Sequence, residues 1–185
     1  ERILAASNGA CTTCMLFGRT EHSHGKYFIC HESIAGGSGA SHYFDGLSGV
    51  QVYLTNTSNM PIEATEIEYP DIMLEQYYLR RDSGGAGQFR GGCGIQREYK
   101  ICSDGMAVNC LGDRQKFQPW GLDGGMAGAA GAFYLVDGQT GEKTALSHKT
   151  SNLPVKKGDS ILVLTPGAGG VGAPGNRPPE KVLLD

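Results

Sequence analysis

The sequence has no long apolar run. The stretch Ser160 to Leu164 is strand-sized, far short of the roughly 20 residues a bilayer crossing needs, so no membrane span is expected. Lys and Arg form no cluster, and 16 basic against 19 acidic residues give a formal net charge of -3. The electrostatic footprint of phosphate-backbone binding is therefore missing, and nucleic acid is not an expected partner. Charged residues make up only 19% of the chain against 39% hydrophobic ones, too little charge for a solvated disordered polymer and enough apolar material for a core. A chain of 185 residues is expected to form one domain over 1–185, with a sub-boundary near residues 70–80. No initiator Met, basic leader or small-residue cleavage site opens it, so it is expected to start within a longer protein. Six cysteines spread over a chain too large to need stapling point to reduced thiols and a cytoplasmic setting.

Catalytic signatures are missing too. No Gly-Lys-Ser/Thr follows a glycine loop, no dinucleotide fingerprint opens a long helix, and there is no Gly-x-Ser-x-Gly elbow. Neither a nucleotide site nor a self-contained nucleophilic triad is expected.

Glycine is what the chain has in excess: 29 of 185 residues, more than twice the usual share of about 7%. The glycines gather at 36–39, 83–94, 121–131 and 167–175. Readable strands lie between them. Alternation in Val50 to Leu54 predicts a half-buried strand, and similar strands are expected at Lys26 to His31, Ile95 to Cys102, Met106 to Leu111, Ala132 to Val136 and Ser160 to Leu164. Asn59 as a cap and Pro61 in the first turn predict a short helix over Ile62 to Glu68, stopped by Pro70. Asp137-Gly138, Thr140-Gly141 and Lys157-Gly158-Asp159 read as turns, and the proline-bearing tail from Gly172 to Pro179 as a wrap over the surface or a partner. The fold class expected is a β-rich α+β structure: mixed or antiparallel sheets with short helices and long glycine-rich loops, part of a larger multisubunit assembly.

The run Tyr78 to Gly92 carries Arg80, Arg81, Asp82, Ser83 and Arg90 among its glycines. Such a loop brings backbone close to a ligand while arginines meet a carboxylate or phosphate; equally, it is a tight turn held by an Asp82 to arginine pair. Cys11, Cys14, His22, His24, Cys30 and His31 invite a zinc reading, but one Cys-x-x-Cys without a second clean pair favours small buried thiols, and no metal ligand is assigned.

In order along the chain, Arg2 to Gly9, Phe17-Gly18, Glu32 to Ala40, Asp45-Gly46, Thr55 to Glu63, Tyr78 to Gly92, Asp113-Arg114, Pro119 to Leu122 with Gly124-Gly125, and Thr165 to Gly172 resemble the hydantoinase B/oxoprolinase family. The resemblance implies a chain corresponding to the carboxyl-terminal part of a much longer subunit. It implies a hydantoinase A-type partner carrying the ATP site and, in carboxylase relatives, a small zinc subunit. It further implies hydrolysis of cyclic amides such as hydantoins, 5-oxoproline or lactams, or ATP-driven carboxylation of a ketone, with a small molecule as substrate. ATP, Mg and a divalent metal are then expected in partner chains or in the amino-terminal part, and no cofactor on this chain. Where the family has His-x-His before the Thr-Asn, this sequence has Gln51-Val52-Tyr53, which points to a divergent branch.

On this basis Arg80, Asp82, Ser83 and Arg90 are expected at substrate or interface contacts, Asn56 and Thr57 at the cavity, and Glu32 as a supporting carboxylate. Two competing expectations are a non-catalytic module that stabilises the same complex and a small independent zinc protein.

Overall fold

The computed structural model describes residues 3–9, 11–52 and 56–185. Side chains that alternate between a buried and an exposed face build two antiparallel sheets. In β1 (Thr12–Gly18) every second residue is buried, and it forms a hairpin with β2 (Phe28–Ser33) around a tip that holds His22 and His24. Two later strands complete that sheet. β5 (Met106–Gly112) pairs with the other side of β1, and β8 (Lys149–Val155) lies outside β5, giving the order β2-β1-β5-β8. Pro154 sits on β8, an outer strand, the position in a sheet where proline is tolerated.

The second sheet contains β3 (Ile72–Leu79), β4 (Ile95–Ile101), β6 (Ala132–Val136), β7 (Lys143–Leu146) and β9 (Ser160–Leu164) in the order β3-β4-β9-β6-β7. Helix α1 (Ile62–Glu68) precedes β3; a 3-10 turn (Pro174–Asn176) and the short α2 (Pro179–Val182) lie in the tail.

One apolar cluster joins the inner faces of the two sheets, with Leu16 and Val108 from the first and Ile101, Phe133, Ile161 and Val163 from the second. Each buried side chain of this size stabilises by about 1.5–3 kcal/mol relative to exposure. Within the inward-facing row of β4, Arg97 stands between Ile95 and Tyr99 and is fully buried. Glu32 of β2 meets it at 3.1 Å, so one ion pair spans the gap between the sheets.

Beside the sheets, the glycine-rich segments pack backbone to backbone. Gly37 N–H donates to the Pro166 carbonyl (3.1 Å), Gly92 to Ser38 (3.0 Å), Gly85 to Ala168 (2.7 Å) and Gly170 to Met126 (3.0 Å). Glycine is required here by proximity. A Cβ on Gly39 would overlap the Ala5 carbonyl and one on Gly167 the Ser83 carbonyl, both rigid backbone. A small cluster of Ala5, Ala40 and Val171, with Phe89 and Leu122 against it, is the apolar content of this stack.

The strands expected at Ala132 to Val136 and Ser160 to Leu164 form with those bounds, those near Ile95 and Met106 shift by one residue at an end, and that near Lys26 begins at Phe28. Two expectations are corrected. Val50 makes only an isolated bridge to Gly36, and Gln51 and Val52 join no strand; Tyr53, Leu54 and Thr55 lie outside the described residues. The helix forms where expected, but Pro61 is its N-cap and Asn59 does not cap it, because the Asn59 side-chain oxygen accepts the Ala35 N–H at 2.9 Å.

Candidate functional site: an arginine-lined cleft

β3 ends at Leu79, and the chain turns into the glycine-rich loop at Arg80. Arg80 N–H donates to the Gly94 carbonyl (2.8 Å), which closes the loop at its base. The Arg80 guanidinium folds inward and donates to the carbonyls of Ala130 (2.6 Å) and Thr165 (3.3 Å). Burial lowers its basicity. Ser83 completes the brace: its hydroxyl donates to the Arg80 carbonyl (2.6 Å) and accepts the Gly94 N–H (2.9 Å). Arg80 and Ser83 therefore hold the shape of the loop, while Asp82, with φ 54°, is carried outward at its tip. The alternative in which an Asp82 to arginine pair holds the turn is not what forms; Asp82 makes no ion pair among the described residues.

Between this loop and the tail lies a cleft of about 1320 Å³ whose wall includes Tyr78, Arg81, Asp82, Arg90, Cys93 and Asp185. The Arg90 Nε donates to Asp185 Oδ1 (3.0 Å) and its Nη1 to the Cys93 Sγ (3.2 Å). Asp45 orders the neighbouring backbone by accepting the Arg90 N–H at 2.7 Å. The tail is tied to the same carboxylate, since Arg177 makes a two-pronged contact to Asp45 at 2.8 and 3.1 Å and also meets Asp185 at 2.9 Å. Burial pushes the Asp45 carboxyl up, but the Arg177 hydrogen bonds and the Arg90 N–H outweigh it and hold the group below the usual carboxylate range. The Asp45 contacts raise the basicity of Arg177 in turn.

The other expected site residues lie elsewhere. Asn56, with φ 34°, and Thr57 are exposed on the segment before α1. Glu32 is buried in the core, where Oε1 accepts the Met60 N–H (2.9 Å) and Oε2 accepts the Tyr99 hydroxyl (2.5 Å) as well as Arg97. Burial and the Glu32 charge push the Tyr99 phenol well up. Arg97 Nη2 also meets the Met60 carbonyl (3.0 Å), while Nε and Nη1 have no hydrogen-bond partner among the described residues.

The cysteines are free thiols. Cys14, Cys30 and Cys110 are buried, and burial pushes Cys30 up to about 12. His22 is held by Asp71 at 2.8 Å, and no group of three or more metal-ligating side chains lies together among the described residues. Arg177, Asp185 and Cys93 had no local signal in the sequence, because Arg177 lies 132 positions from Asp45, within the proline-bearing tail.

A sheet-rich module that presents a cationic cleft from glycine-packed loops is the class these features define. A family model described as Hydantoinase B/oxoprolinase matches residues 1–174, and the chain belongs to that family. It is 44% identical over its whole length to an uncharacterized protein of Methanocaldococcus jannaschii, covering 31% of that protein. It is 35% identical over 88% of its length to a putative D-/L-hydantoinase B-type subunit of Pseudomonas sp. (27% of that protein), and 35% identical over 90% to 5-oxoprolinase of Dictyostelium discoideum (12% of that enzyme). Among solved structures, ATP-dependent caprolactamase from Pseudomonas jessenii aligns with a TM-score of 0.86 at 21% identity, over 99% of this chain and 32% of that one. Nucleotide-free acetone carboxylase aligns with a TM-score of 0.79 at 19% identity, over 97% and 28% respectively. These two share the fold. The chain spans less than a third of each of these relatives.

Proposed function

We propose that this chain is the cleft-bearing part of an ATP-dependent enzyme that opens a cyclic amide or carboxylates a ketone, and that it does not turn over substrate alone. The observation that carries the proposal is family membership across nearly the whole chain, joined to a built cationic cleft. Residues 1–185 act as one domain of a longer subunit. Arg90 and Asp82 contact substrate or the facing subunit, Arg80 and Ser83 shape the loop beneath them, Asn56 and Thr57 face the assembled cavity, and Glu32 supports the framework from the core.

The Gln88 to Gly94 part of the glycine-rich loop does not fit an ATP phosphate cradle. Gly85 and every residue from Gln88 to Gly94 already donate their N–H groups to protein acceptors. Phosphate cradling needs such amides free. ATP, Mg and a divalent metal are accordingly assigned to a hydantoinase A-type partner or to the remainder of the family-length subunit, with a small zinc subunit in the carboxylase case. No helix among the described residues is long and apolar enough to cross a membrane; the six free thiols are what favour a cytoplasmic complex.

Reconstitution with a hydantoinase A-type partner tests the proposal: turnover of a lactam, or of a ketone with bicarbonate, is expected only with partner and ATP together. Turnover by the chain alone without ATP would overturn it. The inward brace of Arg80 and Ser83 favours a second reading, a module that only stabilises the complex.

A further inference from the structure

The segment that follows β5 combines unengaged amides with unmatched cations. Gly112 and Asp113 use their N–H groups on the carbonyls of His148 and Cys11, but the five amides from Arg114 to Gln118 donate to no acceptor among the described residues. Arg114 to Phe117 line a cavity of about 550 Å³, within the range of small-molecule sites, whose wall also carries His148 and Lys149. None of Arg114, Lys116 and Lys149 has a carboxylate within ion-pair distance among the described residues. The one carboxylate in the wall, Asp113, accepts the Cys11 N–H through Oδ2 at 3.1 Å.

The loop is also built, not draped. Arg114 is held in the left-handed region (φ 54°), a conformation that non-glycine residues keep only where the surroundings impose it. Its guanidinium stacks 4.4 Å above the Trp120 ring, and its carbonyl accepts the Gly131 N–H at 3.1 Å. Gly112 is fixed by proximity, since a Cβ there would meet the Gln115 amide and the Phe133 ring. A run of unengaged amides bent around a left-handed residue, with three unmatched cations beside it, is the arrangement that receives a multiply charged oxyanion. In the Arg90 cleft, by contrast, Asp45 and Asp185 already answer Arg90 and Arg177, and the amides from Gln88 to Gly94 are engaged.

We infer that loop 112–118, with Lys149 from β8, is a phosphoryl-anion site separate from the Arg90 cleft. Its ligand is either a small acyl or enol phosphate handed over by an ATP-using partner or free phosphate left after the reaction. The first source rests on the proposed function; the site itself does not.

The chain has one tryptophan, Trp120, and it lies directly under Arg114, so its fluorescence reports on the loop. Titration of the full chain with inorganic phosphate and, separately, with acetyl phosphate is expected to change that fluorescence saturably. In amide NMR the shifts should concentrate at 114–118. The double variant Lys116→Ala/Lys149→Ala, which removes two exposed side chains, should keep its thermal midpoint and weaken binding about tenfold. Tighter binding of acetyl phosphate than phosphate identifies a phosphorylated intermediate as the ligand; equal binding identifies free phosphate. A response that does not saturate, that sodium chloride reproduces at equal ionic strength, or that the double variant leaves unchanged would overturn the site. That failure would leave the proposed enzyme class standing, because the titration uses neither ATP nor a partner.

Discussion

The two-sheet core and the glycine stack lie side by side and are held together by opposite means. In the core, side chains such as Leu16, Val108 and Ile161 fill the space between sheets, and a methylene lost at one point is partly absorbed by its neighbours. In the stack there are almost no side chains to adjust. Carbonyls of Ala5, Ser83 and Leu47 stand where Cβ atoms would be, against Gly39, Gly167 and Gly92. Backbone cannot rotate away as a rotamer does, so the stack is the less tolerant of the two although it buries little apolar surface. It also carries the Arg90 cleft, and the position of Arg90 is therefore set by backbone contacts.

The largest effect should come from the one polar tie inside the core. Glu32→Ala leaves Arg97 buried with no counter-charge and should destabilise by about 3–5 kcal/mol, read as a lower denaturant midpoint. Little or no loss would mean that water already solvates Arg97, whose Nε and Nη1 have no hydrogen-bond partner among the described residues. Next come two single-carbon changes that oppose the regions directly. Gly39→Ala adds one methyl to the stack and should cost about 1–3 kcal/mol, whereas Ile161→Val removes one methylene from the core and should cost about 0.5–1.5 kcal/mol. Equal costs would erase the distinction.

The smallest effect is the acid response of the tail. The Asp45 carboxyl is held below its ordinary value, so its contribution to tail docking is fully present above the unfolded carboxylate pKa of about 3.9 and is lost as pH falls through the lower folded value. Proteolysis of the tail should therefore be slow at neutral pH and speed up below about pH 4, ahead of any change in the core. Asp45→Asn should remove that dependence.

Much of the sheet framework was legible because period-two alternation and turn residues act locally: β6 and β9 fall where Ala132 to Val136 and Ser160 to Leu164 predict them. β1 was not, because its half-exposed face carries Met15 and Phe17 and blurs the alternation with Cys14 and Leu16. β7 and β8 are mostly polar outer strands, defined by their partners more than by their own residues. The segment at Val50 alternates but borders the glycine stack, where its pairing shrinks to one bridge with Gly36. At the candidate site, the glycine loop pointed to Arg80, Asp82, Ser83 and Arg90. It did not separate the two that brace the loop from the two that line the cleft. That division depends on Gly94, Ala130 and Thr165, which only the folded chain brings together.

Arg90 decides between a substrate-facing cleft and a scaffold. In a complex reconstituted with a hydantoinase A-type partner, Arg90→Ala should assemble to the same extent as the unaltered chain and lose most of its ATP-dependent turnover per assembled complex. Impaired assembly with unchanged turnover per complex would contradict a substrate-facing cleft and leave the chain as a purely structural module.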